Sequence, residues 1–372
     1  MKSTRRAAAL ILAACAVSVR AQTPVVLDGK PALSIANDKL TLGIHTEGGA
    51  MVRLVLNDDA AAVNALDAVL GHFVCVDGFG PVSPEERAAG LPGHGEAHRV
   101  PWQKIASDKT TAGGAATTTV SFTATLPIVQ ETFRRTIRMV DGEHVVYVES
   151  ELESLLGFDR PINWGEHATI GRPFLELGKT VVEMSATRAM TRSHDNQSES
   201  PHRLASFKPF TWPMAPTLDG GSVDVRPAPA AAPVGDHTTS LMDPSRRLAF
   251  VTAFNTEKRL LLGYVFRREE YRWTQLWEFY PVGDRIARGM EFSTQPFDLP
   301  RREVIQTNAM FDTPTYRWLP AKSKITSAFL MFYTRTPDRF RKVDDVILDG
   351  GKLTIEDRAS GVKIVLAASR PL

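Results

Sequence analysis

From about residue 39 to residue 333 the chain is a succession of short apolar or alternating runs closed by Gly, Pro, Asn or Asp. That rhythm is what most limits its fold. KLTLGIHTE, MVRLVLNDD, HFVCV, TTTVSFTATL, ETFRRTIRMV, HVVYVESELES, LAFVTAFN, LLLGYVFR, TQLWEFYPV and KITSAFLMFY are rich in Val, Ile, Thr, Phe and Tyr, and runs of this kind read as strands. In HVVYVESELES, Val145, Tyr147, Glu149 and Glu151 alternate with Val146, Val148, Ser150 and Leu152, as where one sheet face is dry and the other partly wet. The VDGEH between two such runs supplies a Gly turn and predicts an antiparallel hairpin. Helical periodicity is scarce, with Ala60 to Val69 and SPEERAAG as its best candidates. The expectation is an all-β protein, a large antiparallel β-sandwich with few short helices.

A length of 372 residues suits either two average domains or one long β unit, and no segment marks a boundary between two domains. Residues 185–236 depart from the strand rhythm, through polar SATRAMTRSHDNQSESPHR, KPFTWPMAP and the Pro/Ala stretch RPAPAAAPVGD. They read as a long excursion over the surface, of the kind that lines sites on a rigid scaffold. Hydrophobic residues make up 43% and charged residues 23%, enough for a substantial core. The 44 basic and 42 acidic residues leave a net charge of +2, and no basic run is interleaved with aromatics. Nucleic acid is therefore not expected as a partner.

Lys2, Arg5 and Arg6 precede an apolar run from Ala7 to Val19, and Val19 and Ala21 are small residues suited to cleavage before Gln22. This predicts an export signal over residues 1–21 and a mature single domain over 22–372, periplasmic or secreted. Leu12-Ala13-Ala14-Cys15 offers the alternative of a lipoprotein anchored through Cys15. No other segment is long and apolar enough to span a bilayer. Of the two cysteines only Cys75 would remain, in apolar HFVCV, which predicts a buried inert thiol and no internal disulfide.

Three stretches concentrate chemistry-bearing residues. LPGHGEAHRVPW sets His94, Glu96 and His98 at alternate positions and ends at Trp102. INWGEHATIGRPFLE carries Trp164, Glu166 and His167, and RGMEFSTQPFD carries Glu291 and Gln295. On one strand face His94, Glu96 and His98 could act as three ligands of a cupin-like metal site.

The three stretches together resemble the galactose mutarotase, or aldose 1-epimerase, superfamily. His94-Gly95 matches that family's His-Gly pair, His167 in NWGEHATIG its second His, and Glu291 in MEFSTQPF its Glu in a Leu-Glu-Thr-Gln-x-Phe-Pro element. The separations of 73 residues from His94 to His167, and 124 from there to Glu291, resemble the family's. After His167 this chain has Ala168-Thr169-Ile170-Gly171, where the epimerases usually carry Tyr-Phe-Asn. The resemblance covers nearly the whole mature chain and implies a one-domain β-supersandwich that binds carbohydrate.

Interconverting the anomers of a free sugar requires a proton to leave the anomeric hydroxyl while another arrives at the ring oxygen. One base and one acid accomplish this, with neither a metal nor an organic cofactor. A Glu in an apolar pocket has its pKa raised toward neutrality and becomes a stronger base, which suits Glu291 between Met290 and Phe292. The resemblance then implies His167 as the acid and His94 as a substrate-positioning imidazole. Trp102, Trp164, Glu166 and Gln295 are the expected substrate-binding residues, with Trp277 a further stacking candidate. The alternative function is a carbohydrate-binding protein without turnover on the same fold.

Overall fold

The computed structural model describes residues 23–112, 114–194 and 200–372. The expected export signal and Cys15 lie outside the described residues. All ten runs form strands, because each alternates or saturates its two faces with the β-branched and aromatic side chains that a pleated surface packs well.

Two large sheets make up the body. In the first, eleven strands run from Thr23–Leu27 at one edge to Pro209–Thr211 at the other, with His72–Val76, Trp164–Gly171, Ala287–Ser293, Trp273–Phe279 and His237–Met242 adjacent in that order at its middle. The second has eight strands, among them Glu131–Val140, Val145–Ser154, Leu260–Arg267 and Lys324–Arg335. The pairings between these central strands are antiparallel.

A core that includes Leu54, Val74, Ile170 and Phe292 from the first sheet, and Phe133, Val148, Leu262 and Phe329 from the second, fills the space between them. The three-stranded sheet Asp345–Asp349, Lys352–Asp357 and Val362–Ala367 packs Val346, Leu353 and Ile355 on the other face of the eight-stranded sheet, against Phe250 and Leu330. This arrangement leaves the outer face of the eleven-stranded sheet free to carry a site.

The segment SPEERAAG does form a helix, Pro84–Ala88, closed by a Ser83/Glu86 capping box. Ala60 to Val69 does not. Asp59 accepts from the backbone N–H groups of Ala61 and Val63, Asn64 from that of Leu66, and Asp67 from those of Val69 and Leu70. These side chains take the donors a helix would have used and fold the segment as turns.

Residues 185–194 and 200–236 correct the reading of a surface excursion in part: many of them are exposed, but the segment also contributes strands and core residues. Ala186–Thr191 and Pro209–Thr211 extend the large sheet, Met214–Pro216 pairs with Ser222–Asp224, and Leu204, Ala215, Val225 and Ala228 are buried. The Pro/Ala stretch stays out of the strands, as a segment short of N–H donors must.

Candidate active site

The strand Trp164–Gly171 is buried on both faces and divides its side chains between two tasks. Trp164, Glu166, Ala168 and Ile170 point into the core between the sheets. Gly165, His167, Thr169 and Gly171 take the outer face. The pairs Glu166–Phe292 and Thr169–Gly289 set the register with Ala287–Ser293, which puts His167 directly across from Glu291. On its other side Glu291 is paired with Gln275.

His167 Nε2 lies 3.3 Å from Glu291 Oε1, and its Nδ1 lies 3.0 Å from Thr169 Oγ1. Against a protonated Glu291 carboxyl, the neutral ring satisfies both contacts by donating Nδ1–H to Thr169 and turning the Nε2 lone pair toward Glu291. Phe73 stacks on the imidazole with ring centroids 4.3 Å apart, and Trp277 meets its edge at 6.4 Å. Gly289 provides the space for the carboxylate, because a β-carbon there would collide with Glu291 Oε1.

His94 reaches the same place from a tight turn in which His94 and Gly95 both have positive φ. Gly95 is required there, since a β-carbon would strike the Val76 carbonyl. The Gly80 N–H donates to His94 Nδ1 at 3.1 Å, so Nε2 is the nitrogen that carries the proton of the neutral ring. The ring stands edge-on to His167 at 5.2 Å.

These groups line a cleft of about 620 Å³, together with His45, His98, His237 and Trp277. Burial pushes Glu291 up to about 8, against the opposing charge of Arg192. Burial, reinforced by the neighbouring His94, holds His167 well below its ordinary value. His94 is brought down to about 4 by burial, with His98 and Arg99 adding to it. At neutral pH the pair therefore rests with one proton, on the Glu291 carboxyl, and the uncharged imidazole of His94 stands beside it.

The expected substrate contacts fare differently from the three central residues. Trp164 lies between the sheets and donates to Glu166 Oε1 at 3.3 Å. Glu166 is fully buried there, accepting from Arg135 Nη2 at 2.6 Å and meeting His72 Nε2 at 2.9 Å. Trp102 donates its indole N–H to the Ala97 carbonyl and packs near Phe122 and Phe133. Gln295 is buried, with its amide 3.4 Å from the Phe297 carbonyl. None of these four is in the cleft wall; Trp277 is.

The three-ligand metal strand is not formed. Residues 91–100 fold as turns, and Glu96 turns inward to accept the Val129 N–H at 2.9 Å while His94 and His98 face the cleft. Cys75 is buried with Phe73 and Phe79, and burial pushes its thiol upward.

Arg192, Gln275 and His237 belong to the site's surroundings and escape sequence reading. Arg192 Nη1 donates to Gln275 Oε1 at 2.7 Å, and Nη2 pairs with Asp298. His237 pairs across the sheet with Trp277. The signal for Gln275 and Trp277 is the alternation in TQLWEFY, which puts both on one face, but only the strand order shows that this face adjoins Glu291.

No family profile matches the chain, and no curated protein sequence matches it. Solved structures do match in fold. A galactose mutarotase-like protein from Clostridium acetobutylicum superposes with a TM-score of 0.58 at 14% identity, over 85% of this chain and 98% of its own. A candidate aldose 1-epimerase from Klebsiella pneumoniae gives 0.58 at 13% identity, over 83% and 80% respectively. A galactose mutarotase related enzyme from Lactobacillus acidophilus gives 0.52 at 10% identity, over 82% and 98%.

Proposed function

We propose that this chain, a β-sandwich with the galactose mutarotase-like fold, interconverts the anomers of a free sugar by proton exchange with Glu291 and His167. The observation that carries the reading is the 3.3 Å approach of these two side chains in the wall of an open cleft. Ring opening takes a proton from the anomeric hydroxyl and delivers one to the ring oxygen. A pair that holds one proton can do both and finishes with one proton again.

In the resting charge state Glu291 is the proton donor to the ring oxygen and the Nε2 lone pair of His167 is the acceptor. Ring closure reverses the roles. The opposite tautomer, with an ionised Glu291 as base and a protonated His167 as acid, has the same proton count and runs the same reaction from the other side. His94, in the cleft wall, is suited to hold a sugar hydroxyl or the partial negative charge on the ring oxygen as its bond to the anomeric carbon breaks. Trp277 offers an aromatic surface to the apolar face of the sugar.

Polarimetry of freshly dissolved single anomers tests this. The protein should speed the approach to equilibrium rotation for at least one aldose, and Glu291→Gln should remove about 10²–10⁴-fold of that effect. A protein that binds sugar without accelerating the change would support the binding alternative.

A further inference from the structure

We propose that the sugar taken by this cleft carries a carboxylate, as a uronic acid does, and that Arg99 at the cleft mouth holds it. The inference rests on the anomer-exchange reading of the same cleft and names its substrate class.

Arg99 is exposed and follows His98 on the turn segment that also delivers His94. Its Nε donates to His98 Nε2 at 3.1 Å, which fixes the root of the guanidinium. Among the described residues its two terminal amino groups have no acceptor and no carboxylate partner. Arg192, which also lies near the cleft, is by contrast engaged by Gln275 and Asp298. A guanidinium fork left open in a cleft wall matches the two oxygens of a carboxylate.

Placement and charge agree with that assignment. Rings step along one wall from His167 to His94 by 5.2 Å and from His94 to His98 by 6.1 Å, and Arg99 is attached to the last of them. Lys30 and Arg99 bring two positive charges to the wall and Glu47 one negative, while Asp298 is offset by Arg192 and Glu291 is protonated at neutral pH. The balance favours a monoanion over a phosphate dianion. Burial, with Arg99 adding to it, brings His98 down to about 4, so the imidazole is neutral and free to accept from Arg99.

Anomer exchange of glucuronate, galacturonate, glucose, galactose and glucose 6-phosphate, measured by saturation-transfer NMR with direct titration of each sugar, tests the proposal. The uronates should saturate at roughly tenfold or lower concentration than their neutral counterparts. Arg99→Ala should bring that ratio toward one, and Arg99→Lys should restore only part of it. Equal saturation of charged and neutral sugars, a ratio unchanged in Arg99→Ala, or tighter binding of the phosphate than of either uronate would overturn it. Uronate binding that depends on Arg99, with no exchange of any sugar, would support carboxylate recognition and remove the reaction reading instead.

Discussion

Glu166 and His167 are neighbours in the chain, yet one is sealed against Arg135 between the two sheets and the other stands 3.3 Å from Glu291 on the opposite face. The two-residue period of a single strand thus separates a structural ion pair from the proposed reacting pair. Substitutions on the two faces should report different properties.

On the inner face, Glu166 and Arg135 are both fully buried, and removing one partner strands the other's charge. Arg135→Met should cost about 3–5 kcal/mol of stability. Adding Glu166→Gln should recover part of that loss. Guanidinium unfolding, read as a shift of midpoint at constant slope, measures both.

On the outer face, Gly289→Ala adds a β-carbon where the Glu291 carboxylate now sits. The fold should survive, because the strand Ala287–Ser293 keeps its pairings. Sugar turnover should fall by about 10²-fold or more as the carboxylate is displaced from His167. Circular dichroism and exchange rates on the same preparation separate the two effects.

The raised pKa of Glu291 fixes a sign for stability against pH. Folded, the carboxyl titrates at about 8; unfolded, it titrates near ~4.3. Between those values the folded state holds a proton that the unfolded chain has released, so this group's contribution is present at low pH and lost as pH rises through about 8. Compared with Glu291→Gln, the wild type should lose thermal stability progressively from pH 5 to pH 9. A stability difference that is flat, or that grows in the wild type's favour with pH, would count against a buried, protonated Glu291.

Arg192 acts on the same carboxyl through its charge, which lowers the Glu291 pKa against burial. Turnover should decline above about pH 8 as the pair loses its one proton. Arg192→Met should move that alkaline limb upward, because Glu291 then keeps its proton to higher pH. A kcat/KM profile against pH reads the shift independently of any loss in overall rate.

The β-sandwich is legible in the sequence because alternation is a local property: HVVYVESELES and TQLWEFYPV announce both their strand character and their two faces. The same locality fails where side chains rewrite the backbone. Ala60 to Val69 has helical spacing, but Asp59, Asn64 and Asp67 bind the N–H groups it would need. His94, His167 and Glu291 are visible as unusual residues in unusual surroundings, and the fold brings them together. Trp164 and Glu166 look equally promising on the page. The face each occupies is set by register against His72–Val76 and Ala287–Ser293, which no single stretch encodes. Arg192, lying in a segment that reads as surface, is joined to the site only by the sheet order.

The most direct test of the account is the rate at which magnetisation passes between the two anomers of a sugar in the presence of the protein. Wild type should exchange them faster than water alone, on at least one neutral or uronic aldose, while Glu291→Gln and His167→Ala each lose about 10²–10⁴-fold of that acceleration with the fold intact. Acceleration that persists undiminished in both variants, or a sugar that binds in the cleft and exchanges no faster than in water, would contradict the assignment of the pair.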